Sequence, residues 1–322
     1  MDRKHVLIGG GSGFVGRALT AALEARGDRV TIVSREPGPG RITWEALDAN
    51  GLPQCDVVIN LAGKHILDMR RRWNQHYRDE LIRSRVDTTR ALVKAINQSA
   101  SPPQAFISTA GKCFYGSQGF HKEELYGDMH EWSTPVGVDY PASLVAIWEA
   151  AANEIDPERV RHVKVRLGIA LSRDDKPAAH AGEGPGAYGV FPILRNVFKS
   201  GLVFRMGSGA QPFPWIHIDD VVGIFLQAID DDAMEGIYNA VSPGIVSNKE
   251  FTGALAQKLG RWVLGSIPAW AIKAVVGVER STILLLGQRV RPSRTMAAGY
   301  TFKFADLQAC LDDLVGIQGG GQ

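Results

Sequence analysis

Cysteine is scarce in this chain. Cys55, Cys113 and Cys310 are far apart and odd in number. Neither a disulfide framework nor a CxxC metal site can be built from that spacing, so a reducing compartment is expected. Long apolar runs are also missing. Ile283–Leu286 is typical, far short of the roughly 18 residues a membrane span requires. Met1-Asp2-Arg3-Lys4 runs directly into a strand pattern, with no apolar stretch of the signal-peptide kind. Charge of one sign is lacking as well: 36 Lys and Arg face 34 Asp and Glu, for a formal net charge of +2. That balance gives no general reason to expect a nucleic-acid or membrane partner. The expectation is a soluble intracellular protein, with the cytoplasm favoured, whose partner is a small-molecule substrate. Glycine is the one abundant outlier, at 36 of 322 residues, without the Gly-X-Y period of collagen.

The order of hydrophobic patterns predicts an α/β fold. His5 to Ile8 reads as a buried strand, and Gly9-Gly-Gly-Ser-Gly13 follows at once. Phe14, Val15, Ala18, Leu19, Ala22 and Leu23 then recur at helical spacing, and Gly27 stands where a helix stops. Val30 to Val33 is a second strand, completing a βαβ unit and implying a parallel sheet. Further strands are predicted at Asp56–Leu61, Gln104–Thr109 and His162–Leu167, with helices at Trp73–Asn97 and Ser143–Glu154. Residues 172–189 read as a mobile loop rich in Gly, Ala and Pro. Beyond it come short strands near Val203 and Tyr238, and helices at Asp220–Ile229, Lys249–Leu259 and Ala269–Val276. The fold expected is a doubly wound Rossmann-type parallel sheet over residues 1–230, with a smaller C-terminal α/β substrate lobe over 231–316. Residues 317–322 read as a disordered tail.

Gly11-x-Gly13-x-x-Gly16 fits the dinucleotide fingerprint, and so does the shifted Gly10-x-x-Gly13-x-x-Gly16. Its place after a strand and before a helix is the confirming context. Small residues let backbone approach a pyrophosphate, whose charge then faces the positive end of a helix. At the end of the second strand an NAD site usually carries an acid; here Ser34-Arg35 stands instead. A hydroxyl and a guanidinium suit a 2′-phosphate, which favours NADP(H). Glu36, one residue on, is the competing acid, and a solvated Arg35 the competing reading.

With these residues in view, the chain resembles the atypical extended short-chain dehydrogenases. The segments that carry the resemblance are Gly9–Gly16, Val33-Ser-Arg35, Gly38-Pro-Gly-Arg-Ile-Thr-Trp44, Asn60-Leu-Ala-Gly63, Arg72-Trp-Asn74, Ser84-Arg85 and Pro214-Trp-Ile-His-Ile-Asp219. It is most similar to their nucleotide-sugar-epimerase-like subfamily, whose substrate is unknown. The likeness spans nearly the whole chain. It includes an extension at 261–314 with Leu284-Leu-Leu-Gly-Gln288 and Pro292-Ser-Arg-Thr295, similar to a small domain of unknown function.

The resemblance implies roles by position. Gly10, Ser12, Gly13, Phe14, Val15 and Gly16 would line the pyrophosphate, and Ser34 and Arg35 would take the 2′-phosphate. Leu61 and Ala62 would pass the adenosine-ribose side. Glu80 and Arg85 would close over the cofactor, unless they form a surface salt bridge on their helix. Arg166 ends a strand, and backbone near Ile169 and Ala170 would approach the nicotinamide.

Such enzymes move protons with a Ser and a Tyr-x-x-x-Lys pair. Aligned on Trp148-Glu149 and on Phe114-Tyr115-Gly116, those positions fall on Ala110, Pro141 and Val145. No catalytic residue is therefore assigned. Ser108, Thr109, Tyr115 and Tyr140 stand nearby; Lys112 reads as a solvated loop lysine. His217 and Asp219 share a strand face, but Asp219 or Asp220 reads better as a helix N-cap. Arg70-Arg71-Arg72 is either an anion receiver or a solvated helix start. Two classes of function remain: an NADP(H)-dependent oxidoreductase or epimerase with relocated acid–base groups, or a non-catalytic NADP(H)-binding sensor or scaffold.

Overall fold

The computed structural model describes residues 3–66, 68, 71, 73–116, 128–134, 139–173 and 189–316. The predicted loop thus lies outside the described residues at 174–188, and so does the tail at 317–322.

The first half alternates strand and helix. It comprises β1 (His5–Gly9), α1 (Phe14–Arg26), β2 (Arg29–Ser34), β3 (Arg41–Thr43), α2 (Trp44–Asn50) and β4 (Val57–Asn60). α3 (Gln75–Gln98), β5 (Ala105–Gly111), a 3-10 turn at Lys112–Tyr115, α4 (Tyr140–Ala152), β6 (Arg161–Leu167) and β7 (Ile169–Leu171) follow. The second half contains α5 (Phe191–Lys199), β8 (Phe204–Met206), β9 (Trp215–His217), α6 (Ile218–Asp230) and β10 (Gly236–Ala240). It closes with α7 (Asn248–Lys258), β11 (Gly265–Ile267), α8 (Ala269–Val276), α9 (Val278–Leu285), α10 (Ser293–Ala297) and α11 (Leu307–Val315).

Seven strands form one sheet in the order β10-β6-β5-β4-β1-β2-β3, every neighbour parallel. The order reverses between β1 and β4, which opens a crevice at the carboxyl ends of the strands. Strand alternation divides the core. Val6, Ile8, Val57, Ile59, Ala105 and Ile107 face α1 and α6. Leu7, Val58 and Phe106 face the other way, onto α2 and α3. Both faces are covered, as an all-parallel sheet requires.

Local signals explain most boundaries. Gly27 ends α1 in the left-handed conformation at φ 89°, and Asn74 caps α3 by accepting from the Tyr77 amide. α4 begins at Tyr140, three residues before the predicted start, because the Asp139 side chain accepts from the Ala142 amide and Pro141 tolerates the first turn. The predicted division after residue 230 is corrected by β10. That strand pairs with β6 from Gly236↔Val163 to Ala240↔Leu167 and so belongs to the main sheet. Beyond it, a second core gathers Leu171, Phe191, Phe198, Trp215, Phe251, Leu255, Leu307, Leu311 and Leu314.

Candidate functional site

The site begins with backbone packed on backbone. Gly10 sits at φ +79°, and a Cβ there would lie 2.7 Å from the Ala62 amide nitrogen. A Cβ on Gly16 would lie 2.4 Å from the Gly10 carbonyl oxygen. Only glycine fits either place. The Gly13 amide donates to the Gly10 carbonyl at 3.0 Å, which closes the turn. Gly13 is also the N-cap of α1 and has no side chain to satisfy the first helical amides. The amides that open α1 therefore have no capping side chain. Phe14 approaches Gly189, and Ser12 accepts from Arg17 at 3.2 Å.

The loop after β4 forms the facing wall. Leu61 donates its amide to Gly9 at 2.8 Å, while wholly buried Asn60 accepts from the Ala62 amide at 3.1 Å. The Asn60 amide group donates to Thr89 at 2.7 Å, and Trp148 donates to the same hydroxyl at 3.0 Å. The positioning role of Asn60 rests on contacts with α3 and α4 that no spacing rule supplies.

Ser34 ends β2 beside the glycine turn, where Gly10 donates to Val33. Its hydroxyl donates to the Glu36 carbonyl and so fixes the turn that carries exposed Arg35.

Glu80 and Arg85 do not pair with each other, which corrects the reading of them as a surface salt bridge. Glu80 accepts from Lys64, from Arg71 at 3.1 Å and from His76 at 2.8 Å. Lys64 and Arg71 hold its carboxyl well down, at a pKa of about 2. Arg85 is buried, donates to the carbonyls of Lys64 at 2.8 Å and Leu81 at 3.2 Å, and lies over the Trp148 ring. Burial lowers its pKa to about 10. It clamps the loop that bears Leu61 and Ala62. Of the arginine triplet, Arg70 and Arg72 lie outside the described residues; Arg71 belongs to the Glu80 cluster.

The wall past β5 and β6 holds the largest surprises. Ala110, Pro141 and Val145 are all buried, and Val145 packs on Gly111. Arg166 is 1% exposed and grips Glu149 with two bonds of 2.7 and 2.9 Å. Burial opposes its charge, but Glu149 more than offsets this and raises its pKa. Its Nε and Nη2 are thus committed to Glu149 in the wall. Ile169 and Ala170 lie in β7, paired with Trp215 and Ile216 of β9.

Lys112 is 8% exposed, so the solvated-loop reading is corrected. Its ammonium donates to the Gln288 side-chain oxygen at 3.0 Å, and Gln288 donates in turn to the Gly116 carbonyl at 2.6 Å. Tyr115 is fully buried and donates to Asn239 at 2.8 Å; burial pushes its pKa up. Tyr140 reaches toward Arg78, and Ser108 shares a 2.8 Å bond with half-buried His162.

The helix-cap expectation is also corrected. His217 itself caps α6, its Nδ1 accepting from the Asp219 amide at 3.1 Å. Asp220, wholly buried, accepts from the amides of Lys303 at 2.7 Å and Phe304 at 2.9 Å and from the Tyr300 hydroxyl at 3.0 Å. These groups latch the C-terminal segment to the sheet.

The family model described as the NAD dependent epimerase/dehydratase family matches residues 6–240. The chain belongs to that family. A second model, a domain of unknown function (DUF1731), matches residues 267–314. Within the family, the chain is 42% identical to the human epimerase family protein SDR39U1 over 311 residues, covering 97% of this chain and 99% of that one. It is 26% identical over 320 residues to a Bacillus subtilis epimerase family protein, YfhF, covering 97% and 98% of the two chains. The crystal structure of human SDR39U1 with NADPH matches with a TM-score of 0.88 at 40% identity, covering 97% and 99%. Among the described residues, no group of His, Cys, Asp and Glu is placed to hold a metal ion, and no helix is long and apolar enough to cross a membrane. All three cysteines are free.

Proposed function

We propose that this chain is an NADP(H)-dependent oxidoreductase or epimerase acting on a small molecule, with its proton handling moved away from the usual triad. The carrying observation is the cradle in which Gly10 meets Ala62 and Gly16 meets Gly10 with no room for a Cβ. Such a cradle fits a pyrophosphate against the uncapped start of α1. Gly10, Ser12, Gly13, Phe14, Val15 and Gly16 would hold it, Leu61 and Ala62 would border the adenosine ribose, and Arg35, aimed by Ser34, would meet the 2′-phosphate. A human relative crystallised with NADPH supports this choice of cofactor. When bound, the nicotinamide supplies or accepts a hydride.

The chain's own residues must then manage the proton. Ala110, Pro141 and Val145 carry none. Tyr115 is sealed, with its hydroxyl donated to Asn239. Lys112 is a proton-bearing group at the end of β5, held by Gln288, and it is the candidate to polarise a substrate oxygen. The apolar wall also favours a second reading, a binding module without turnover.

Calorimetric titration with NADPH and NADH tests the cofactor. NADPH should bind at least about tenfold more tightly, about 1.4 kcal/mol, and Arg35→Ala should erase the gap; equal affinities in the unaltered protein would sink the assignment. NADPH consumption over a broad carbonyl library separates the two readings. Turnover lost in Lys112→Met and kept in Tyr115→Phe supports the enzyme. No turnover, with NADPH binding intact, supports the binding module.

A further inference from the structure

We infer that the C-terminal lobe carries a peripheral docking surface for an anionic lipid bilayer. The observation is a set of exposed apolar residues in two neighbouring segments whose own charged residues are all basic. Trp262 is 87% exposed, Trp270 73% and Val275 81%, and Leu202, Leu264 and Ile267 are exposed as well. Single exposed apolar residues are ordinary, but so many within two paired segments mark an interaction site.

Leu202, Trp262 and Leu264 belong to one surface, and the chain carries it on through Ile267 toward Trp270. β11 pairs with β8 from Gly265↔Phe204 to Ile267↔Met206. The Leu264 amide donates to the Val203 carbonyl at 2.9 Å, and Arg261 donates to the Lys199 carbonyl at 2.8 Å. Trp262 and Leu264 are thereby held next to Leu202 at the end of α5. Pro268 then leads directly into α8, whose sequence is AWAIKAVV and whose only buried residue is Ile272. An eight-residue helix with so little buried and only one charged residue is poorly matched to water.

Charge identifies the occupant. Residues 189–218 and 251–278, which build this surface, contain Arg195, Lys199, Arg205, Lys258, Arg261 and Lys273 and not one Asp or Glu. The chain-wide balance of +2 conceals this concentration. Lys258 is neutralised by Asp312 of α11, but Lys199 and Arg261 are exposed at the edge of the apolar patch. A second copy meeting the first face to face would set like charges against each other. A bilayer with anionic headgroups answers both features at once: its interface suits Trp, and its surface potential attracts Lys and Arg. The bound geometry is one of lying on the membrane, with no span required.

Flotation of the full chain with phosphatidylcholine vesicles, with and without phosphatidylglycerol, tests the inference. Binding should require phosphatidylglycerol, weaken with salt and shift tryptophan fluorescence to shorter wavelength. Trp262→Ala with Trp270→Ala should abolish it. Each of Lys199→Glu and Arg261→Glu should weaken it about fivefold or more. All four positions lie away from the glycine cradle, so NADPH affinity should be unchanged and reports that the variants are folded. No flotation with any vesicle overturns the proposal. So does sedimentation velocity showing a dimer that the tryptophan variants dissociate, which would assign the face to a second copy.

Discussion

Two groups of glycines mark two ways of building this molecule. In the turn between β1 and α1, Gly10, Gly11 and Gly16 stand where any side chain would strike backbone or Ile32 at less than 3 Å. In the C-terminal lobe, Gly253, Gly260, Gly265 and Gly277 have nothing within 4 Å of the place a Cβ would take. Close approach is the purpose of the first group, since a pyrophosphate must reach backbone amides. The second group spares no contact, and the lobe's elements are correspondingly short. The nucleotide turn is therefore constrained by backbone and side chains packed directly against it. The lobe is held at a few points by partners far away, notably Asp220 to Lys303 and Phe304, and Gln288 to Lys112.

The comparison breaks first at the latch. Asp220→Ala should cost about 3–4 kcal/mol, because the amides of Lys303 and Phe304 and the Tyr300 hydroxyl lose their buried acceptor. Urea unfolding of the variant should separate into two transitions, the lobe melting before the sheet; one unshifted transition would show that the lobe needs no latch. Gly10→Ala comes next. It should lower NADPH affinity roughly 100-fold, about 2.7 kcal/mol, by forcing the turn off Ala62, as read by calorimetry. Gly253→Ala sharpens the contrast with the opposite sign. It lies inside α7 with open space around it, so it should stabilise the fold by about 0.5–1 kcal/mol.

A smaller effect tests the sheet through pH. His162, packed on Phe106 and bonded to Ser108, has its pKa lowered by burial from 6.5 to about 3. The unfolded chain then binds the proton that the folded one refuses. Stability is complete above pH 6.5 and falls as pH drops from 6.5 toward 3. His162→Gln should flatten that segment of the stability–pH curve, measured by urea unfolding across the range. Glu80 acts lower down: its depressed pKa of about 2 stabilises above its ordinary value of 4.5 and is lost between the two. Because that carboxyl is near solvent, Glu80→Gln should change the curve only slightly.

What was legible in the residues followed from short-range rules. The glycine spacing, the strand that precedes it and the helix that follows identified the nucleotide turn, and Gly27 marked the end of α1. The extent of the parallel sheet was legible through β6, where alternation is unbroken. It failed at β10, which reaches the sheet only after α6 has crossed one face. β3, α2 and α5 also escaped, being short segments of three to nine residues.

The sequence by itself determined the βαβ nucleotide unit, the parallel sheet, the shortage of thiol chemistry and the absence of acid–base side chains at Ala110, Pro141 and Val145. Each depends on residue type and on spacings within a turn or a strand. Only the tertiary structure decided that Lys112 is buried, since its partner Gln288 lies 176 residues away. Tertiary contacts likewise turned Arg166 toward Glu149, gave His217 rather than Asp219 the cap of α6, and brought Leu264 against Val203. Burial and pairing are properties of what lies across the chain's folded path, and spacing along the chain carries no information about that neighbour.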